Sequence, residues 1–206
     1  MDDIDIFSAI CREYFEEVKR IVKENPEIVH IKDSNGWTPL DKAIAWGKLE
    51  IAKFLFEKGG RSDFDCDGRK RNTPVHHAAH RGFTTTLKWG FKNIFRLPVL
   101  KIKTRDGRTP LDEAIAGGKL ETVKFLWGKG GRPNLEIYYR NGKRTPVHWA
   151  ANSGHAATLK WVFENKILPL RVLKIKSKRK RTPLDGAIRH KHFETASLLM
   201  NHLIWR

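Results

Sequence analysis

The chain has 206 residues, of which 40% are hydrophobic and seven are Trp, a composition that supports a folded core and excludes an intrinsically disordered protein. Its net charge of +17 is uneven: residues 1–30 carry eight acidic and four basic side chains, a net of −4, so residues 31–206 carry +21. A basic surface of this strength predicts an acidic partner, which could be a protein, a nucleic acid or an anionic membrane.

Cysteine usage and hydropathy exclude two further classes of protein. Cys11 and Cys66 form neither a disulfide framework nor a CxxC metal pattern, so we expect a reducing, intracellular compartment. The cytoplasm is favoured, and the nucleus or an organelle interior stays open. The first residues, MDDIDIF, are acidic where a targeting peptide is basic. No apolar run approaches the ~20 residues of a membrane span, so we expect a soluble, unprocessed chain.

The predicted elements are helix pairs that recur along the chain. After a first pair in residues 4–36, a Thr-Pro phrase begins at Thr38, Thr73, Thr109, Thr145 and Thr182, with spacings of 35, 36, 36 and 37 residues. Thr is a good helix N-cap and Pro suits the first helical position, so each phrase predicts a helix start. A Gly about nine positions later predicts the end of that helix.

A second helix follows each of these stops. GKLEIAKFLFEKGGR (47–61) and GKLETVKFLWGKGGR (118–132) match at eleven of fifteen positions, with apolar residues at helical spacing. KIKTRDGRTPLDEAI (101–115) and KIKSKRKRTPLDGAI (174–188) match at ten of fifteen, which indicates duplication of a pair of repeats. One such unit cannot bury its own apolar face, so the pattern predicts units that stack on a shared core.

The phrase TPVHWAANSGH (145–155), set in these helix-turn-helix units, resembles the ankyrin repeat. The resemblance implies an all-α ankyrin-repeat solenoid with basic connecting fingers, in a single domain spanning 1–206. The predicted repeats are approximately 4–36, 37–72, 73–108, 109–144, 145–181 and 182–206. TPLD alternates with TPVH, so Asp41, Asp112 and Asp185 are expected to meet the role of the family's His differently. The repeats exceed the usual ~33 residues, which predicts enlarged fingers.

Catalytic and metal-binding residue sets are not evident. His76 and His80 could share a helix face next to His77, but His76 occupies the family's His position and no third ligand stands at a zinc spacing. The Gly-Gly pairs are typical of helix ends rather than phosphate loops. We therefore expect no enzyme activity, no cofactor, no metal and no small-molecule substrate.

The aromatic residues divide into core and contact candidates. Trp89, Trp127 and Trp161 have the helical spacing of core residues. The resemblance implies that the residue before Thr-Pro and the end of the first helix face the concave surface, which makes Trp37 and Trp46 contact candidates. The position of Trp149 is left open between the seam of two repeats and that surface.

The connecting fingers are basic; from Arg171 to Arg181 there are seven basic residues and no acidic one. In stacked repeats such positions align, so we predict a basic ridge rather than a tail. The predicted partner-binding residues are Trp37, Trp46, Arg69, Lys70, Arg71, His80, Arg81, Lys103, Arg105, Arg108, Lys143, Arg144, Lys178, Arg179, Lys180, Arg181 and Arg189. The predicted function is a protein-interaction scaffold or adaptor that holds an acidic protein, with a place in a large assembly left open; the alternative is binding of an RNA or ribonucleoprotein backbone.

Overall fold

Paired α-helices follow one another along the chain, and the computed structural model describes them over residues 5–62, 72–134 and 144–204. In chain order, these residues form α1 (Ile6–Arg12), α2 (Phe15–Glu24), α3 (Pro39–Ala45), α4 (Leu49–Glu57), α5 (Pro74–Arg81), α6 (Thr84–Asn93), α7 (Pro110–Ala116), α8 (Leu120–Gly128), α9 (Pro146–Asn152), α10 (Ala156–Glu164), α11 (Pro183–Arg189) and α12 (Phe193–Ile204). Short 3-10 helices, Pro26–His30, Leu97–Lys101 and Leu170–Lys174, follow α2, α6 and α10. These described ranges contain no β-strand, and the prediction of an all-α fold is confirmed.

The helices gather into two compact units. The first unit comprises residues 1–78 and 83–99, and the second comprises 79–82 and 100–206. In the first unit, α3 packs against α1 and α4. In the second unit, α9 packs between α7 and α11, while α10 contacts both α8 and α12, so neighbouring helix pairs stack as expected for repeats. The prediction of one domain with six repeats at the stated bounds stays a prediction.

Each unit has its own apolar core, built from one face of each helix. The large side chains that are fully buried in the first unit are Ile6, Ile10, Leu40, Ile44, Ile51, Leu55 and Leu87. Those of the second unit include Leu111, Ile115, Leu126 and Leu159. They lie at helical spacing in the sequence, and their burial supplies the main driving force for stacking.

The alternating Asp and His of the TPLD and TPVH phrases occupy one capping position. In the TPLD repeats, Oδ2 of Asp41, Asp112 and Asp185 accepts a hydrogen bond from the backbone N–H of the capping Thr, at 3.1, 2.9 and 2.7 Å. In the TPVH repeat at Thr145, Nδ1 of His148 accepts the same bond at 3.2 Å. The Thr side chains complete a capping box, which satisfies two backbone groups of the helix start.

The two residue types differ in the second bond that each makes, which ties the helix start to the loop before the next repeat. Asp112 accepts again, from the N–H of Asn134 at 2.9 Å, and Asp41 accepts from the hydroxyl of Ser62. His148 instead places Nε2 3.1 Å from the carbonyl oxygen of Arg181. Because Nδ1 accepts from Thr145, the neutral tautomer with a proton on Nε2 lets His148 donate to that carbonyl. The choice of Asp or His therefore matches whether the next loop offers a donor or an acceptor.

In four repeats the turn between the two helices contains a glycine in the left-handed region, and a side chain of the next repeat packs directly on it: Gly47, Gly82, Gly118 and Gly154. Gly118 has φ +66°, and a Cβ placed there would overlap the imidazole ring of His155. Gly154 has φ +76°, and its Cβ would lie 2.7 Å from Nδ1 of His192. These contacts require glycine for two reasons, the backbone conformation and the approach of the next repeat.

Replacement of Gly118 should separate these two effects when it is compared with Gly130→Ala in the same unit. Gly130 has φ +90°, but a methyl group added there would meet no atom within 4 Å, so its replacement costs only backbone strain, about 1–2 kcal/mol. Gly118→Ala adds the displacement of His155, and we expect it to lose about 1 kcal/mol more than the control. Urea unfolding of both variants measures this difference. Equal losses would show that His155 moves aside without cost.

The burial of His148 predicts a loss of stability in acid. Burial, and secondarily the charge of Arg144, lowers the pKa of His148 from 6.5 to about 4. The unfolded chain therefore binds the proton more readily, so this contribution is complete above pH 6.5 and is lost as the pH falls toward 4. Its size is as much as about 3 kcal/mol, at ~1.4 kcal/mol per pKa unit.

His148→Gln retains an acceptor and a donor at this position and does not titrate. The difference in unfolding free energy between wild type and His148→Gln, measured from about pH 7 to about pH 4, isolates His148 from the other histidines. We expect the unfolding free energy of the wild type to fall relative to that of His148→Gln as the pH is lowered across this range. A difference that stays constant with pH would contradict the burial of a neutral imidazole.

Candidate binding surface

Three of the connecting fingers share one backbone turn just before a TPLD phrase. In residues 33–37, 104–108 and 177–181, the first N–H bonds to the carbonyl of the fifth residue, at 2.9, 2.8 and 2.8 Å. The fourth residue, Gly36, Gly107 or Lys180, donates back to the first carbonyl and has a positive φ of 77°, 82° or 56°. The turn presents the second to fourth residues outward. The predicted contact residues Arg69, Lys70, Arg71 and Lys143 lie outside the described residues.

The finger 177–181 is the most strongly basic of the three. Lys178, Arg179 and Lys180 are exposed, and Arg181 is partly exposed. Within the described part of the chain these four side chains form no ion pair. The backbone of the finger is held by its internal turn and by the bond from His148 to the Arg181 carbonyl. Its charges therefore project from a fixed backbone toward solvent.

The residue before the capping Thr lies against the fourth residue after that Thr. We call these the pre-cap and fourth positions. In the first unit, the ammonium of Lys42 lies 5.8 Å from the ring centre of Trp37. In the second unit, Nε of Arg108 lies 3.1 Å from a carboxylate oxygen of Glu113, and the guanidinium of Arg144 lies 5.1 Å from the ring of Trp149. The side chain at the fourth position thus determines whether the pre-cap side chain is already paired or is open to a binding partner.

Glu113 contacts two of the predicted contact residues. Its side chain is 6% exposed, and its second oxygen lies 3.2 Å from Nδ1 of His80, which belongs to the preceding repeat. Arg108 and His80 therefore flank one buried carboxylate. Sequence reasoning missed Glu113, although it is the single acidic residue at the fourth position, where the other repeats have Lys42, His77, Trp149 and Gly186.

The two predicted aromatic anchors differ in exposure. Trp37 is only 7% exposed and packs edge-on against His77 at 4.9 Å, so the expectation that its ring faces an open surface is corrected. Trp46, at the end of α3, is 37% exposed. Trp149, which the sequence left undecided, is 41% exposed beneath Arg144. Of these three Trp rings, Trp46 and Trp149 are exposed enough to contact a partner.

The remaining predicted cations lie on the surface. Arg81, Lys103 and Arg105 are exposed, and each has an interaction within the chain. Arg189 is exposed in the last turn of α11. Binding by any of these residues stays a prediction, as it does for the fingers.

The described residues contain neither a metal-binding cluster nor a membrane-spanning helix. No group of three or more His, Cys, Asp or Glu side chains there could hold a metal ion. No described helix is long and apolar enough to cross a membrane. Cys11 is a free thiol, and Cys66 lies outside the described residues.

Comparison with known proteins agrees with this architecture. The family profile "Ankyrin repeats (3 copies)" matches residues 6–67, and the profile "Ankyrin repeat" matches residues 106–137. An ankyrin repeat domain from Acinetobacter baumannii AYE aligns over 96% of both chains with a TM-score of 0.60 at 23% identity. The ankyrin repeat protein EF0377 aligns over 95% of this chain and 96% of its own, with a TM-score of 0.64 at 25% identity. The chain belongs to the ankyrin-repeat proteins.

Curated relatives of this ankyrin-repeat chain include subunits of two complexes in Saccharomyces cerevisiae. "Target of rapamycin complex 2 subunit AVO2" is 27% identical over 147 residues, which is 71% of this chain and 33% of that protein. "Probable 26S proteasome regulatory subunit p28" is 26% identical over 132 residues, covering 64% of this chain and 56% of that protein. The chain thus spans a third to just over half the length of these relatives. Ankyrin repeats are generally a non-enzymatic, protein-binding fold, and this chain shares that fold.

Lys180 occupies the turn position that Gly36 and Gly107 fill in the equivalent fingers, and its left-handed conformation costs about 1–2 kcal/mol. Lys180→Gly should therefore raise the unfolding free energy by up to about 1 kcal/mol, once the added freedom of glycine in the unfolded chain is subtracted. Lys178→Gly removes the same charge at a position without positive φ, and should lower stability slightly. Thermal and urea unfolding compare the two variants; equal effects would contradict strain at Lys180.

Proposed function

We propose that this chain is a non-catalytic scaffold that holds an acidic segment of a partner protein on the fingers and first helices of its second unit. The observation that carries the proposal is the finger 177–181, whose exposed cations lack ion-pair partners among the described residues. Arg144, stacked on the exposed ring of Trp149, adds a cation and an apolar surface in the preceding repeat. Charged groups with apolar contact area are the combination that gives affinity in protein interfaces.

Two properties of the chain support a protein partner over a nucleic acid. Ankyrin repeats are a protein-binding fold, and two relatives are named as subunits of protein complexes. The sequence also has no recognisable nucleic-acid module. The net charge of +17 nevertheless suits a phosphate backbone, so RNA is the alternative to be tested. We place the complex in a reducing compartment, following the cysteine usage.

The test measures binding of an acidic peptide and a single-stranded RNA of similar length and charge, at rising salt concentration. The variant removes the finger charges with Lys178→Ala, Arg179→Ala and Lys180→Ala. Its matched control removes two cations from the second helices and one from the residue that follows α8, with Lys124→Ala, Lys160→Ala and Lys129→Ala. We expect the finger variant to lose peptide affinity by about tenfold or more, and the control to lose little, because the local charge rather than the total charge binds the partner.

If RNA binds more tightly than the peptide at about 0.15 M salt, and both triple variants weaken it alike, the chain is a backbone-charge binder and the protein-scaffold proposal is wrong. If neither ligand binds the wild type, the finger is not the binding surface. Trp149→Ala distinguishes the two modes further, since loss of the ring should weaken a fixed peptide contact more than a diffuse phosphate contact.

A further inference from the structure

The carboxylate of Glu113 shows how this fold binds an acid in the groove between two repeats. One oxygen meets Arg108 at the pre-cap position of its own repeat at 3.1 Å, and the other meets His80 of the preceding repeat at 3.2 Å. All three residues belong to the second unit. The guanidinium and imidazole therefore form a carboxylate site that the chain fills with its own side chain.

The next two repeats keep the arginine and lack the acid. Arg144 and Arg181 occupy the pre-cap positions, whereas Trp149 and Gly186 occupy the fourth positions. Within the described residues, neither arginine forms an ion pair. At Gly186 a side chain has no room, because the amide oxygen of Asn152 lies where a Cβ would be. The internal carboxylate found beside Arg108 is thus replaced by a ring in one repeat and by bare backbone in the other.

We infer that a partner supplies these two carboxylates, one to Arg144 and one to Arg181, in the way that Glu113 serves Arg108. This inference rests on the proposed function and specifies its ligand. Stacked helices lie about 8–10 Å apart, so the two arginines sit about one such step apart along the stack. An extended segment of the polyproline II type rises ~3.1 Å per residue and completes a turn every three residues, so acidic residues at i and i+3 lie on one face and match this step. The ligand is an extended segment with the pattern acidic-x-x-acidic.

The ring of Trp149 adds a second element of selectivity. It is 41% exposed, and the Arg144 guanidinium lies 5.1 Å from its ring centre. A planar, oriented guanidinium suits a carboxylate with two parallel hydrogen bonds. The exposed part of the ring lies next to the arginine, so an apolar residue between the two acids would contact it.

Exchange of residues at the fourth position tests the inference directly. Trp149→Glu would place an internal carboxylate beside Arg144, as Glu113 lies beside Arg108, and should lower affinity for an acidic peptide at least tenfold. Trp149→Gln removes the ring without adding charge and should lose clearly less. Glu113→Gln should free His80 and leave Arg108 with the longer contact to Asp106 at 3.7 Å, and should raise affinity severalfold for a peptide with a third acid in the same spacing.

The probes are two peptides of about 15 residues with the same composition, one with Glu at every third position and one with the Glu residues contiguous. Fluorescence anisotropy with the full chain gives their affinities, and thermal unfolding checks each variant. If Glu113→Gln fails to fold, the comparison of Trp149→Glu with Trp149→Gln still tests the inference. Equal affinity for both peptides, or equal loss in Trp149→Glu and Trp149→Gln, overturns the inference while leaving the scaffold proposal intact. Failure of both peptides to bind the wild type overturns the proposed function itself.

Discussion

The bond from the third helical residue of one repeat to the loop of the next is the interaction on which the rest depends. Asp112 and His148 both cap their own helix and then reach forward, to Asn134 and Arg181 respectively. Because these side chains are 0% and 3% exposed, an unmatched polar atom there would cost about 1–3 kcal/mol. The bond therefore specifies which backbone group the next loop presents. It also fixes the loop whose outer residues, in the case of finger 177–181, carry the exposed charge.

Much of the fold could be predicted because its local signals are strong and repeated. The Thr-Pro phrases place the starts of α3, α7, α9 and α11 at the Pro, as the structure has them. The 3-10 helices after α2, α6 and α10 were not predicted, since short turns of this kind lack a periodic apolar signal. From the sequence, Asp was also expected to meet the role of His differently. Asp and His in fact accept the same bond from the capping Thr, and they differ in their second bond. Whether a buried acceptor or donor is needed depends on a residue about 20 to 33 positions away, which spacing alone does not reveal.

The candidate site was harder to predict than the fold because each pre-cap residue is defined by its neighbour at the fourth position. Trp37 is the residue before a Thr-Pro phrase, a position that was expected to face the concave surface. Its ring is nevertheless buried against His77, which lies 40 positions away in the sequence. Arg108 and Arg144 occupy equivalent positions in similar basic stretches. One lies on the buried carboxylate of Glu113 and the other on the open ring of Trp149. Counting basic residues treats them as equal, whereas the local field around each is different.

The uneven charge of the chain follows from the same local neutralisation. On the second helices, cations are paired one turn away with acids: Lys19 with Glu16, Lys53 with Glu50, and Lys124 with Glu121, at 2.8 to 2.9 Å. Such exposed pairs contribute little to stability, about 0–1 kcal/mol each, but they cancel the field on that side of the repeat. The finger 177–181 has no such pair among the described residues, because residues 171–181 contain no acidic side chain. A net charge of +17 on a chain whose α-helices are largely neutralised is therefore concentrated on the loops.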